Sequence, residues 1–433
     1  MGSLWLESVT LPNYAPLEKN LNTDVLIVGG GLAGVLCAHR LRELGVDCVL
    51  TEAETVCGGV TGHTTAKLTA QHGLIYHTLP NRFGRSGART YLEANLAALE
   101  RFRALCQHID CEFEARDSYV YTLDDPKALE EEIFALRALD FPATLERQLP
   151  LPFPVAGAVR FPDQAQFHPV KFVRGLLPGL TVYEHSPIRK IRPGYALTDR
   201  GAVITAKHIL ICTHFPMLSR HGGYFIKLYQ HRSYLLALEG APDLPGMYVD
   251  NAQSGLTFRP CGPYLLFGGG DHRTGKPGGG WSQLETLARR YWPRAQVKYR
   301  WSTQDCMSLD GVPYIGPYSP AAPGLYVATG FNKWGMTGAM VAALLLGDLV
   351  TGRENPWAEL FSPARSMLCP QLWANLASSA VGLLTPTRPR CPHMGCALKW
   401  NRREHSWDCP CHGSRFTREG KVLDGPAQKD LAP

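Results

Sequence analysis

The run Asp24-Val-Leu-Ile-Val28, followed at once by Gly29-Gly30-Gly31-Leu32-Ala33-Gly34, leaves few folds open to this chain. The short apolar stretch reads as a buried strand, and Leu32, Val35 and Leu36 then take helical spacing. A strand, a glycine turn and a helix therefore follow one another. Gly29 permits the tight turn, Gly31 lets the backbone approach a pyrophosphate, and Gly34 lets helix and strand pack closely, with the phosphate charge meeting the helix N-terminus. Gly45 ends the helix. A second strand, Val46 to Thr51, then delivers Glu52 to a position where an acid accepts hydrogen bonds from a ribose. The unit predicts a dinucleotide-binding domain and leaves FAD and NAD both open.

A second constellation stands at the other end. Cys391-Pro-His393 and, after fifteen residues, Cys409-Pro-Cys411-His412 offer two thiolates and two imidazoles. Two thiolates on one iron and two imidazoles on the other make a 2Fe-2S centre of raised potential; the spacing alone also permits a zinc site. The whole run from Cys391 to Ala427 resembles the cluster-binding part of Rieske proteins, which favours iron, with Cys391, His393, Cys409 and His412 as ligands. The resemblance also implies a disulfide between the non-ligand cysteines, Cys396 and Cys411. Ser414 matches a hydroxyl that donates to a cluster sulfur in respiratory-type centres. Phe416 stands where those proteins often place a tyrosine, so a lower potential than theirs is expected. The tail lacks the strands that normally precede the first ligand loop, so its support must come from elsewhere in the chain.

Four segments between residues 24 and 355 are similar, in order, to the D-amino-acid oxidase and glycine oxidase superfamily of flavin oxidoreductases. They are VLIVGGGLAGVLCAHRL, GGVTGHTTAKLTAQHG, HILICTHFP and GLYVATGFNKWGMTGAMVAALLLGDLV. The likeness extends to gamma-glutamylputrescine oxidoreductase-like members and to members with a C-terminal Rieske segment. It implies FAD as the cofactor. It also implies that Thr61, Gly62, Thr64 and Thr65 lie on the loop around the flavin, which runs to Lys67, and that Thr213 contacts FAD. Gly330, Trp334, Gly335, Met336 and Thr337 would open a final helix whose N-terminus stabilises reduced flavin.

The expected fold is α/β (α+β). A Rossmann-like FAD-binding domain (about 20–80, 150–220 and 310–355) is interleaved with a β-sheet substrate lobe (about 81–149 and 221–309). Together they make an oxidoreductase over 20–361, followed by a linker (362–389) and a small all-β Rieske segment (390–433). Leu92, Leu96, Leu99, Phe102, Cys106 and Ile109 share one face of a long helix. Segments 112–122, 247–260 and 264–268 suggest the sheet over the flavin. The glycine run Gly268-Gly-Gly270-Asp-His-Arg reads as a loop beside the pocket.

Amino-acid oxidising relatives usually carry an arginine that grips the substrate carboxylate. In the corresponding stretch, Trp301 to Pro313, Asp305 takes that place. A carboxylate there repels a carboxylate and attracts an ammonium, so the expected substrate is a small amine. The competing reading turns Asp305 away to cap a loop or to pair with Arg300. Lys67 and His63 are the ionisable groups expected near the ring, while His72 and His77 are expected to be structural. A two-electron flavin and a one-electron cluster suggest a relay to an external electron acceptor, a redox protein being one form of it. Two other readings stand beside this one: an electron-transfer module with no small substrate, and an oxygen-using oxidase with a structural or redox-sensing cluster.

Composition narrows the field further. The formal charge of +6 over 433 residues includes no basic block interleaved with aromatics, so nucleic-acid binding has no support. Nine of the thirteen cysteines lie outside the cluster motif without metal or disulfide spacing, which fits a reduced cytoplasm. Met336 to Gly347 is too short to cross a bilayer, and Cys369 to Thr387 is uncharged but broken by Pro370, Asn375, Ser378 and Ser379. No membrane span is expected, and no secretion signal is visible at the N-terminus.

Overall fold

The computed structural model describes residues 2–218 and 221–431. β1 (Leu21–Val28) is buried from Val25 onward. Its apolar second half is flanked on both edges by parallel strands, β2 (Cys48–Thr51) and the later β3 (Val203–Ile211). α1 (Leu32–Glu43) connects β1 to β2 and begins directly at Gly31, which caps it without a side chain. Close packing at this turn demands the glycines: a Cβ on Gly34 would sit 1.9 Å from the Gly29 carbonyl oxygen. Thr181–Tyr183 extends the sheet beyond β2, and Leu325–Thr329 pairs with the second half of β3. The buried helix Gly335–Val350, named α3 below, packs against α1. This is the expected dinucleotide-binding layer.

Between β2 and β3 runs α2 (Leu79–Cys106), kinked at Gly84. Leu92, Leu99 and Phe102 of its expected stripe are buried, whereas Leu96, Cys106 and Ile109 pack at the margin of the core. The second large sheet is built on three long strands, β4 (Leu228–Glu239), β5 (Tyr264–Arg273) and β6 (Gln296–Ser308). β4 lies in the middle, antiparallel to both neighbours. Thr257–Cys261, Met247–Asp250, Ser118–Thr122, Gly157–Phe161 and Thr144–Glu146 continue the sheet beyond β5.

One expectation fails here. Gly268 to Arg273 is the second half of β5 and not a loop. Gly270 and Gly279 allow the Gly278–Gly280 segment to cross it closely, since a Cβ on Gly279 would lie 2.3 Å from the Gly270 Cα, while a Cβ on Gly269 would lie 2.9 Å from the Leu256 side chain.

After α3 (Gly335–Val350), most of residues 362–389 is occupied by a helix, α4 (Pro370–Leu384). The tail then forms a four-stranded antiparallel meander of Lys399–Asn401, Ser406–Asp408, Arg415–Phe416 and Val422–Asp424. Its core is little more than Cys391, Cys396, Leu398, Phe416 and Ala427. So small a core needs outside support, and β4, β5 and β6 supply it. Glu404 accepts from Arg232 Nε at 2.9 Å, from the Tyr234 hydroxyl at 2.8 Å and from Arg415 Nη2 at 2.9 Å. Arg273 donates to the Pro410 carbonyl at 3.2 Å and the Cys411 carbonyl at 3.3 Å. Gln304 donates to the Gly413 carbonyl at 2.9 Å. Among the described residues, no helix is long and apolar enough to cross a membrane.

Candidate flavin and cluster sites

A cavity of 770 Å³ runs along the glycine turn. Gly29, Gly31, Leu32 and Ala33 line it from the β1–α1 turn, Glu52 from the end of β2, and Thr61 and His63 from the following loop. Thr213 lines it from the end of β3, and Gly335 and Met336 from the start of α3. Glu52 accepts the Gly30 N–H at 2.6 Å, and Thr61 Oγ1 accepts the Leu32 N–H at 2.9 Å, so both side chains hold the turn open. Burial raises the Glu52 carboxyl above its ordinary range. The uncapped start of α1, the close-packed Gly34 and this elongated cavity fit a dinucleotide such as FAD. Gly34 and Gly62 lie behind the cavity as packing residues.

A second cavity, of 550 Å³, meets the first at Thr303. The alternation of a strand explains its lining. Tyr229, His231 and Ser233 of β4, with Thr303, Asp305 and Met307 of β6, face this cavity, while Arg232 and Gln304 face the first. Thr64, Thr65 and Lys67 come from the loop after β2, and Trp334 from the residue before α3. His231 stands opposite Asp305 in the β4–β6 register. Asp305 therefore faces the cavity and has not turned away, and Arg300 pairs with Glu285 instead at 3.2 Å. Burial pushes the Asp305 carboxyl up to about 7, opposed by Lys333.

Among the other charges in this cavity, Asp250 accepts the Ala252 N–H at 2.9 Å and its carboxyl is raised by burial, and Asp271 and Lys67 have polar partners. Asp271 Oδ2 meets His231 Nδ1 at 2.8 Å and Lys333 Nζ at 2.7 Å. Burial raises the Asp271 carboxyl, but these two partners outweigh it and hold the group below its ordinary range. Lys67 donates to the Tyr248 carbonyl at 3.2 Å and to the Thr257 hydroxyl. Burial, aided by Arg259, lowers its pKa far below the usual lysine value. His63 lies in the first cavity, its Nδ1 2.8 Å from the Gly59 carbonyl, so the two ionisable groups expected near the ring occupy different cavities.

His72 is structural in the way expected. It sits between Tyr91 and Thr69, stacks on Trp334 with ring centroids 5.0 Å apart, and is pushed by burial down to about 3. Thr337 donates to the Thr69 carbonyl at 3.1 Å, and Gly330 packs against Leu228, Ser308 and Tyr314 outside both cavities. His77 pairs with the buried Glu132 at 3.1 Å.

At the other end, the His393 and His412 rings stand perpendicular with centroids 5.0 Å apart. The Cys391 and Cys409 thiols are neighbours, and Ser414 reaches the Cys391 sulfur. The sulfurs of Cys396, Cys409 and Cys411 lie within 4.8 Å of one another. Cys396 and Cys411, the pair that the resemblance joins by a disulfide, are free thiols here. His412 is buried, its two ring nitrogens make no hydrogen bond of ordinary geometry among the described residues, and burial pushes it down to about 4. A neutral buried imidazole beside thiols is a metal ligand's condition, and the donor set fits a 2Fe-2S cluster.

Phe215 connects the two sites. It lines the flavin cavity, and its ring centroid lies 6.0 Å from that of His393 and 6.3 Å from that of His412. Leu423 to Gln428 of the tail also wall the flavin cavity. His231, Asp271, Lys333 and Phe215 escaped the sequence reading. Alternation along Tyr229-Gln-His-Arg-Ser was the one local signal for His231; the others meet only through tertiary contacts.

Comparison with known proteins agrees with both sites. Residues 24–349 match the family described as FAD dependent oxidoreductase, and residues 376–433 match the Rieske [2Fe-2S] domain. YhfW of Bacillus subtilis (strain 168), by its name a candidate Rieske 2Fe-2S iron-sulfur protein, is 35% identical over 99% of this chain and 96% of its own length. Among solved structures, glycine oxidase from Geobacillus kaustophilus superposes with a TM-score of 0.66 at 21% identity, covering 80% of this chain and 99% of that one. L-proline dehydrogenase from P. horikoshii does so at 0.66 and 14%, covering 81% and 98%. At these identities the two structures speak for the fold.

Proposed function

The chain belongs to the FAD dependent oxidoreductase family and ends in a Rieske [2Fe-2S] domain, and from that premise we propose that it oxidises a small amine and passes the electrons to an external acceptor. When bound, FAD supplies a hydride acceptor for the carbon beside an amine nitrogen, and the cluster supplies one-electron transfer.

The carrying observation is the charge balance of the 550 Å³ cavity. Among the described residues no arginine lines it, so a substrate carboxylate has no bidentate partner. Its basic groups already have partners: Lys333 and His231 meet Asp271, and Lys67 donates to the Tyr248 carbonyl and the Thr257 hydroxyl. Asp305 faces the space without such a neutralising partner and attracts an ammonium group. With its carboxyl near neutrality, Asp305 both orients the substrate and takes the ammonium proton, leaving the free amine that hydride loss requires. Lys67, whose charged form burial disfavours, lines the same cavity, and His63 fixes the loop on the flavin side. His231, fixed by Asp271, stands beside Asp305 on the same wall.

Phe215 fills the space between the flavin cavity and the two imidazoles, which makes it the natural bridge toward the tail. His393, with Met217, Leu218, His221 and Pro392, borders a further 390 Å³ surface cavity where an acceptor can approach.

Anaerobic addition of primary and secondary amines to the holoprotein tests this reading. Bleaching of the flavin absorbance by amines, followed by bleaching of the cluster, is the expected result. Turnover of α-amino acids with no response to any amine sinks it.

A further inference from the structure

α4 is an amphipathic helix mounted inside out. A surface helix ordinarily buries its apolar stripe and shows polar residues to water. Here the buried Leu372, Asn375 and Gly382, with Gln371 and Ser378 beside them, face the protein, while Trp373, Leu376, Val381 and Leu384 face outward, continued by Leu368 just before the helix and by Leu383. The exposures are large: Leu368 74%, Trp373 64%, Val381 62% and Leu384 82%.

The inner face leaves no freedom to roll. Asn375 accepts from Arg273 Nη1 at 2.9 Å and donates to the Ile226 carbonyl at 3.2 Å. A Cβ at Gly382 would lie 2.6 Å from the Cys411 sulfur. The apolar ridge is therefore held outward by polar anchors beneath it.

The charges around the ridge identify what it meets. From Leu360 to Arg403 the chain contains no Asp or Glu, and the exposed Arg388 and Arg390 follow the helix closely, Arg390 donating to the Leu383 and Thr385 carbonyls. Tryptophan and leucines on one face with basic residues beside them are the composition of a helix lying in a membrane interface, where length does not discriminate. Basic side chains at that depth are drawn to anionic headgroups. An isologous dimer through α4 would bring two such flanks, neither holding an acidic residue, to one interface.

We propose that α4 seats this protein on the surface of a membrane containing anionic lipid, with Trp373, Val381 and Leu384 entering the headgroup boundary. Helix α4 lies in the plane and does not cross. The thiols of Cys396 and Cys411, on the two ligand loops, pack on its inner face, so seating brings those loops within about one helix diameter, ~10 Å, of the lipid. The proposal rests on α4 and its flank alone and is independent of the amine reading.

Flotation of the holoprotein with mixed phosphatidylcholine and phosphatidylglycerol vesicles tests it, with sedimentation velocity in parallel. Expected are flotation with the mixed vesicles, at least ~10-fold weaker flotation with phosphatidylcholine alone, and a comparable loss in the Trp373→Glu, Leu384→Glu double variant. Both positions are exposed, so the variant should keep its flavin and cluster spectra, which serve as the folding control. A dimer that this variant dissociates, without flotation of the parent protein, overturns the proposal in favour of a second copy. A monomer that does not float overturns it outright.

Discussion

Asp305 is a single side chain whose burial works against stability. Its carboxyl is raised by burial to about 7, well above the ordinary 3.8. In the unfolded chain it ionises first, so between about 4 and 7 folding requires a proton that the unfolded state has released, and the residue subtracts from stability as pH rises. Asp305→Asn removes that load and should raise Tm above neutral pH. Activity should move the other way. Holding an ammonium needs the ionised form, so kcat/KM for amines should climb as pH increases through about 7, and the variant should lose that limb and fall ~10 to 100-fold above it. A second residue-scale expectation concerns Phe416, fully buried in the cluster core beside Cys391. It brings no phenol to a ligand sulfur, so Phe416→Tyr should raise the cluster's reduction potential in a redox titration. An unchanged value would show that no donor is missing there.

At the scale of elements, the Arg232–Glu404 salt bridge ties the small meander to a larger sheet, and acid should loosen it first. Burial raises the Glu404 carboxyl, but Arg232 and Arg415 overcome this and hold it at about 2. The stabilisation is complete above the unfolded value of 4.5 and disappears as pH falls through about 2. Glu404→Gln leaves two buried guanidinium groups without their shared carboxylate and should cost about 3 kcal/mol in chemical denaturation; it should also flatten that acid limb. The same scale shows what was legible beforehand. β1, α1 and β2 announce themselves because a strand, a glycine turn and a helix are local patterns, and the four residues proposed as cluster ligands lie within two short loops. The second half of β5 was hidden by its own glycines, which weaken a strand signal and of which Gly270 permits the crossing of Gly278–Gly280. The Asp271, His231 and Lys333 group was hidden because its members come from β5, β4 and the turn before α3, and no local spacing relates them.

Across the whole molecule, the flavin cavity and the cluster ligands share walls and do not merely share a chain. Leu423 to Gln428 close the cavity from the tail side, and Phe215 touches both imidazole rings. A structural or redox-sensing tail would need neither feature, whereas a relay needs a short route between its two centres. The two alternatives separate on variants that spare the substrate cavity. Cys391→Ser removes a cluster ligand far from Asp305, so anaerobic amine should still bleach the flavin while turnover with the external acceptor falls to background. Phe215→Leu keeps an apolar filler but removes the ring, so rapid mixing should show flavin bleaching at the parent rate and slower bleaching of the cluster. If Cys391→Ser instead turned over as fast as the parent with the same acceptor, the electrons would leave from the flavin directly, and the shared walls would serve only to hold the tail in place.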